Sequence, residues 1–279
     1  MSSPSLAQRL AEREQPAGAP VMRQRWAQLL FLHWAWDPAE IQRTLPPGLT
    51  VDVHEGRAWL GLVPFAMERV RPRGLPAVWG LSDFLELNVR TYVHDAQGRP
   101  GVWFYSLDAN QWLAVKIARA LFHLPYQHAT MAATVDACTQ AVDYRSRRQG
   151  QTIESRFCYR PVGAARPAVA GTLEFFLVER YRLFAWDASG ARLFTGRVHH
   201  APYEIGAAEV SEWDDAGLRL VGFDREGRAP EHVSVARPVE VGVWPMERVT
   251  ARAGTRCERG EEPTEGLGAG AGAGAGAPA

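Results

Sequence analysis

Lysine is almost missing from this chain. Of its 31 basic residues all but one are arginine, and the single side-chain amine belongs to Lys116. Cysteine is scarce too: Cys138, Cys158 and Cys257 are odd in number, widely spaced and free of any CxxC pair. That excludes a disulfide framework and a thiolate zinc site, and it suits a reducing compartment. Neither sign of charge is in excess, with 31 acidic against 31 basic side chains. The arginine groups, Arg71 with Arg73 and Arg147 with Arg148, are too short to form a basic run, so no nucleic-acid partner is expected. No apolar stretch approaches the roughly 18 residues of a membrane span, and no h-region follows the N-terminus, so the expected protein is cytoplasmic, with no membrane partner. GxGxxG at a helix start, GxxxxGK[ST], GxSxG and HExxH are all absent, and no cofactor is expected. His199 and His200 are adjacent, which on a strand sends them to opposite faces and argues against a shared metal. No metal site is expected.

What is present reads as mainly antiparallel β with a few helices, an α+β chain. Residues 1–21 are polar and then rich in Pro, Ala and Gly, and read as a flexible lead-in. Residues 253–279 end in a Gly/Ala repeat with almost nothing to bury, and read as a disordered tail. Residues 22–252 read as one domain. Within it WAQLLFLHW is an apolar strand, Asp37-Pro38 caps a short helix, and LTVDVHEGRAWLGLVPF suggests two strands joined at Glu55-Gly56. ANQWLAVKIARALF has the clearest helical period, GTLEFFLVERY reads as another helix, and RLFAWDASGARLFTGRV as a hairpin. HATMAATVDAC, QAVDYRS and QTIESRFCYR suggest a meander. EVSEWDD, LRLVGF and VEVGVWPMERV suggest closing strands.

The richest segment is FLELNVRTYVHDAQGRPGVWFYSLD, a hairpin turning at residues 95–98. Leu85, Leu87, Val89, Thr91 and Val93 alternate with Glu86, Asn88, Arg90 and Tyr92. A row of polar groups cannot line a dry core without partners, because unpaired buried charge is too costly. That face meets water or lines a polar cavity. Lys116 shares a helical stripe with Arg119 and His123, which could depress its pKa as imine chemistry requires. The opposite side of that helix is apolar, so the expected reading is a solvated stripe.

FLELNVRTYV and GRPGVWFYSLDANQWLAVKIARALFHLPYQHATM, preceded by LLFLHW, LPPGLTVDVHEGRAWLGLVPFAM and RGLP, resemble the YqjF-like family of unknown function, over roughly residues 26–249. That family is similar to a branch of the acetoacetate decarboxylase-like superfamily. The resemblance implies a cone-shaped β-barrel with peripheral helices, and a homo-oligomer. It also implies a site: a strand glutamate, a helical arginine, and an imine-forming lysine after a proline in a Pro-Lys-Lys type motif. Glu86, Arg119 and Pro125 take the first three places, and Tyr126 and Gln127 stand where the two lysines belong.

Two functions are expected on these grounds. In the first, a barrel without the Schiff-base lysine binds a small organic ligand, of carboxylate type, through Glu86, Asn88, Arg90, Arg119, Tyr126 and His128. Glu86 and His128 would be its acid/base candidates. In the second, the barrel is filled, Glu86 pairs with Arg90, and the protein is structural. A third, imine catalysis by Lys116, requires an adduct on that residue.

Overall fold

Residues 3–112, 122–224 and 227–250 are described by the structure, a computed structural model. Among them the strands are β1 (Met22–Ala27), β2 (Leu29–Trp36), β3 (Leu49–Val51), β4 (Ala58–Pro72), β5 (Phe84–Asp95), β6 (Pro100–Ala109), β7 (Tyr126–Val135) and β8 (Val142–Arg148). They continue with β9 (Ser155–Pro167), β10 (Arg182–Asp187), β11 (Arg192–His199), β12 (Glu204–Glu212), β13 (His232–Ala236), β14 (Val239–Val243) and β15 (Glu247–Arg248). The described helices are short: α1 (Leu6–Ala11), α2 (Pro38–Thr44), α3 (Leu173–Val178) and α4 (Ala216–Arg219).

Hydrogen-bonded neighbours trace two closed circuits. One runs β1–β4–β5–β6–β10–β11–β14 and returns to β1. The other runs β4–β5–β6–β7–β8–β9–β12–β13–β2 and returns to β4. All pairs are antiparallel except those of β6 with β10 and with β7. Strands β4, β5 and β6 belong to both circuits and form a wall between two cores. The alternation of side chains along a strand divides them cleanly. On β4, Val63, Phe65 and Met67 join one cluster while Ala58, Leu60 and Leu62 join the other. On β5, Phe84 and Tyr92 face the first core, and Leu87 and Val89 the second.

The apolar run WAQLLFLHW is not one strand. Gln28 sits at φ 53° and separates β1 from β2. The break lets β1 pair with the far half of β4 and β2 with the near half. The turn at Glu55-Gly56 closes only a bridge between His54 and Arg57, and β3 pairs with β5 rather than with β4. LRLVGF is no strand: it enters the second core as α4 and a turn, with Leu218 and Phe223 buried. Both hairpins expected from the sequence form, β5–β6 and β10–β11.

The expected flexible lead-in is instead tied down over residues 5–21. A capping box between Ser5 and Gln8 starts α1. Arg9 then reaches Asp52 at 2.6 Å, Arg13 reaches Glu179 at 3.0 Å, and Glu12 holds Arg182 at 3.0 Å. The backbone of Val21 bonds Val243, and the Trp244 indole donates to Ala17. Composition alone does not reveal these contacts, because the partners of these charges lie far along the chain. Most of the helix expected around Lys116, and the expected tail, lie outside the described residues.

The first circuit closes where β6 and β10 run side by side, and Gly101 permits the approach. A Cβ there would stand 2.8 Å from both the Arg182 carbonyl oxygen and the Phe184 ring. Gly101→Ala is expected to cost about 1–3 kcal/mol through this overpacking, measured by urea unfolding. A cost within experimental error would show that the seam yields freely.

Candidate functional site

The polar face of β5 lies on the first-core side of the wall. A bulge between β5 and β6 places its extra residue, Tyr105, on β6, because Val89 pairs with Ser106 and Arg90 with Phe104. The alternation of β5 is therefore undisturbed, and Glu86, Asn88 and Arg90 all line one cavity of about 510 Å³. Glu86 and Asn88 are buried, 3% and 5% exposed, and Arg90 is half-buried. Of the two settings open to this face in the sequence, water or a cavity, the structure has the cavity. Most of the remaining lining is apolar, including Phe31, Phe65, Phe84, Phe104 and Leu107.

Tyr126 opens β7 and donates its phenol proton to Glu86 Oε2 at 2.8 Å. Burial pushes the Glu86 carboxyl up to about 7, nearby Asp108 adds to the rise, and hydrogen bonds from Tyr126 and Asn88 oppose it. The Tyr126 phenol is pushed well above its ordinary range, first by burial and then by the Glu86 charge. The pair therefore holds a carboxyl that exchanges its proton near neutrality beside a phenol that keeps its own. A group in that state can serve as general acid or base.

Arg90 closes the other end of the row. One of its terminal nitrogens donates to the Leu177 carbonyl at 3.2 Å, and its guanidinium lies 5.4 Å from the Phe31 ring centroid and 5.6 Å from that of Tyr92. No ion pair joins it to Glu86, and among the described residues no carboxylate lies within 4.0 Å of it. The second guanidinium at this end, Arg180, packs 4.9 Å from Tyr92 and 4.3 Å from Phe176. Its partner is Asp52 at 2.8 Å, which Arg9 shares. Burial lowers Arg180 to about 10 against the pull of Asp52. Burial alone would raise Asp52, but Arg180 and Arg9 together hold it below its usual range. Among the described residues, the Arg90 Nε, the Arg180 Nη2 and the Asn88 Oδ1 are buried without a hydrogen-bond partner.

The sequence-derived set thus converges in part. Glu86, Asn88, Arg90 and Tyr126 meet at the cavity. His128 is not among the lining residues, and its backbone carbonyl accepts from Gln149. Arg119 and Lys116 lie outside the described residues. His200 turns its Nδ1 to the Ala201 carbonyl, and burial lowers it to about 4. Among the described residues no cluster of His, Cys, Asp and Glu could hold a metal. Sequence reasoning missed Arg180, which follows α3 without a motif, and it missed a histidine pair, His33 buried and His232 half-buried. His33 Nδ1 lies 3.1 Å from His232 Nδ1, and His33 Nε2 lies 2.7 Å from the Tyr92 hydroxyl. Burial, then His232 and Arg90, hold His33 well below its ordinary pKa. Only the pairing of β2 with β13 brings these two together.

The fold resembles that of acetoacetate decarboxylase-like proteins. The enduracididine biosynthesis enzyme MppR, solved with the condensation product of pyruvate and imidazole 4-carboxaldehyde, matches with a TM-score of 0.59 at 14% identity, over 83% of this chain and 90% of that one. An acetoacetate decarboxylase-like enzyme from Sphingomonas wittichii RW1 matches with a TM-score of 0.58 at 16% identity, over 84% and 94%. These likenesses are of fold alone. Residues 23–240 match DUF2071, a family of uncharacterized conserved proteins, and the chain belongs to that family. The uncharacterized protein YqjF of Bacillus subtilis (strain 168) is 39% identical over 240 residues, spanning 84% of this chain and 94% of that protein. Among the described residues no helix is long and apolar enough to cross a membrane.

Proposed function

We propose that this protein binds a small organic carboxylate inside a cone-like barrel and does so without a Schiff-base lysine, so that it is not an acetoacetate decarboxylase. The observation that carries this reading is the hydrogen bond from Tyr126 to Glu86 in a cavity whose described lining holds no lysine. A phenol forms no imine, and the site offers a proton-exchanging carboxyl in place of an amine. Arg90 is the carboxylate anchor, supported by its lack of a carboxylate partner among the described residues. Glu86 is the acid/base group. His128, the other candidate, lines no part of the cavity and has no role in this reading. The open volume speaks against the alternative of a filled, purely structural interior.

Borohydride reduction in the presence of acetoacetate or pyruvate, followed by peptide mass mapping, tests the lysine half of the proposal. The expected result is an unmodified chain, and a reduced adduct on Lys116 would overturn it. Thermal shift against a panel of carboxylates tests the binding half. Stabilisation by at least one acid is expected, and no stabilisation by any would sink it.

A further inference from the structure

The cavity is much larger and greasier than a three- or four-carbon acid needs. Its described charged groups lie along one wall and at one end. Its volume of about 510 Å³ falls in the roughly 300–1,000 Å³ range of pockets that bury drug-sized ligands. From Phe84 to Arg90 the wall runs six residues, about 20 Å at ~3.4 Å per residue. The Arg90 end is closed by the last turn of α3, through the Leu177 carbonyl and the Val178 side chain. The Phe84 end opens at residues 75–82, where the lining residues Leu75, Val78 and Leu81 are 59%, 50% and 44% exposed.

Charge is uneven along this length. At the closed end the guanidiniums of Arg9, Arg180 and Arg90 gather, with Asp52 shared between the first two and no carboxylate paired with the third among the described residues. Arg182, which also lines the cavity, is taken up by Glu12. The unpartnered Arg90 Nε and Arg180 Nη2 belong to this same end. Towards the mouth the described lining is mostly apolar, with Phe65, Met67 and Phe84 buried, Leu75, Val78 and Leu81 exposed, and Ser82 and Gln111 its polar members. A ligand that satisfies both ends carries one anionic head and a long apolar body.

We infer that the ligand is an amphipathic monocarboxylate, its head paired with Arg90 and its aliphatic or arylalkyl body running along β5 to the mouth at residues 75–82. This rests on the carboxylate reading above and narrows it. Isothermal titration of the full chain with straight-chain acids from propionate to dodecanoate, each beside the alcohol of equal length, tests it. Affinity is expected to tighten about threefold to fourfold per methylene, the worth of burying one CH₂, until the tail reaches the mouth. Acids are expected to bind about tenfold or more tighter than their alcohols, as a charge-assisted hydrogen bond implies. Arg90→Met is expected to abolish that preference while keeping the chain-length slope, and the acid–alcohol comparison in the unaltered protein stands even if that variant folds poorly. Propionate and pyruvate binding as tightly as decanoate would overturn the amphipathic class and leave the carboxylate reading intact. Alcohols binding as well as acids would overturn both, as would binding by no member of the series.

Discussion

Replacing Glu86 with glutamine is expected to flatten a fall in stability that the unaltered protein shows between pH about 4.5 and about 7. The carboxyl titrates at about 7 in the folded chain against its usual 4.5. In that window the folded state holds a proton that the unfolded state has released, so each rise in pH favours unfolding. The contribution is fully present below pH 4.5, lost as pH rises through 7, and constant above. A shift of this size corresponds to roughly 3 kcal/mol. Urea unfolding of both proteins from pH 4 to pH 8.5 checks it, and Glu86→Gln should lose this component of the slope. Parallel curves would show that Glu86 titrates like a solvated acid, and the proton-exchange role proposed for it would go with them.

Asp52→Ala is expected to be strongly destabilising. Asp52 is wholly buried and is the carboxylate partner of Arg180, whose side chain is 3% exposed, and of Arg9. Removing one member of a buried ion pair typically costs about 3–5 kcal/mol, because a desolvated charge is left uncompensated. The apolar double replacement Asp52→Leu with Arg180→Met is expected to recover most of that loss, since it removes both charges together. Chemical denaturation of the two variants decides the matter. A single variant within about 1 kcal/mol of the unaltered protein would mean that water reaches the Arg180 guanidinium and relieves it. Such a result would also weaken the closed, positively charged end drawn for the cavity.

How much of this was legible in the sequence depended on how far apart the interacting residues lie. The β5–β6 and β10–β11 hairpins were readable because their turn residues and alternation are local. The polar row Glu86, Asn88, Arg90 was readable for the same reason. Whether it lies on the surface or lines a cavity was not, because that depends on β4–β5–β6 being packed on both sides, and the partners that enclose it come from distant segments. The first circuit needs β1 beside β14, and the second needs β2 beside β13. No local pattern announces either pairing. The misreading of LRLVGF has a related cause: a short buried apolar run looks alike as strand or helix, and here Gly217 lets α4 press against Leu62. The docking of α1 escaped notice because Arg9, Glu12 and Arg13 find Asp52, Arg182 and Glu179 only after folding. Tyr126 was located through its family resemblance, and its bond to Glu86 only through the structure.

The septum shared by the two strand circuits has a consequence for how such a site can diversify. Leu87 and Val89 press into one interior while Glu86, Asn88 and Arg90 border the other. Any backbone adjustment that re-aims the acid or the cation must therefore unsettle packing on the reverse side. The polar end is anchored on both faces of the wall, whereas the rim at residues 75–81 is exposed. Among descendants of this scaffold, changes suited to a proposed ligand of different length or shape are expected to accumulate at the rim first, with the septum altered last.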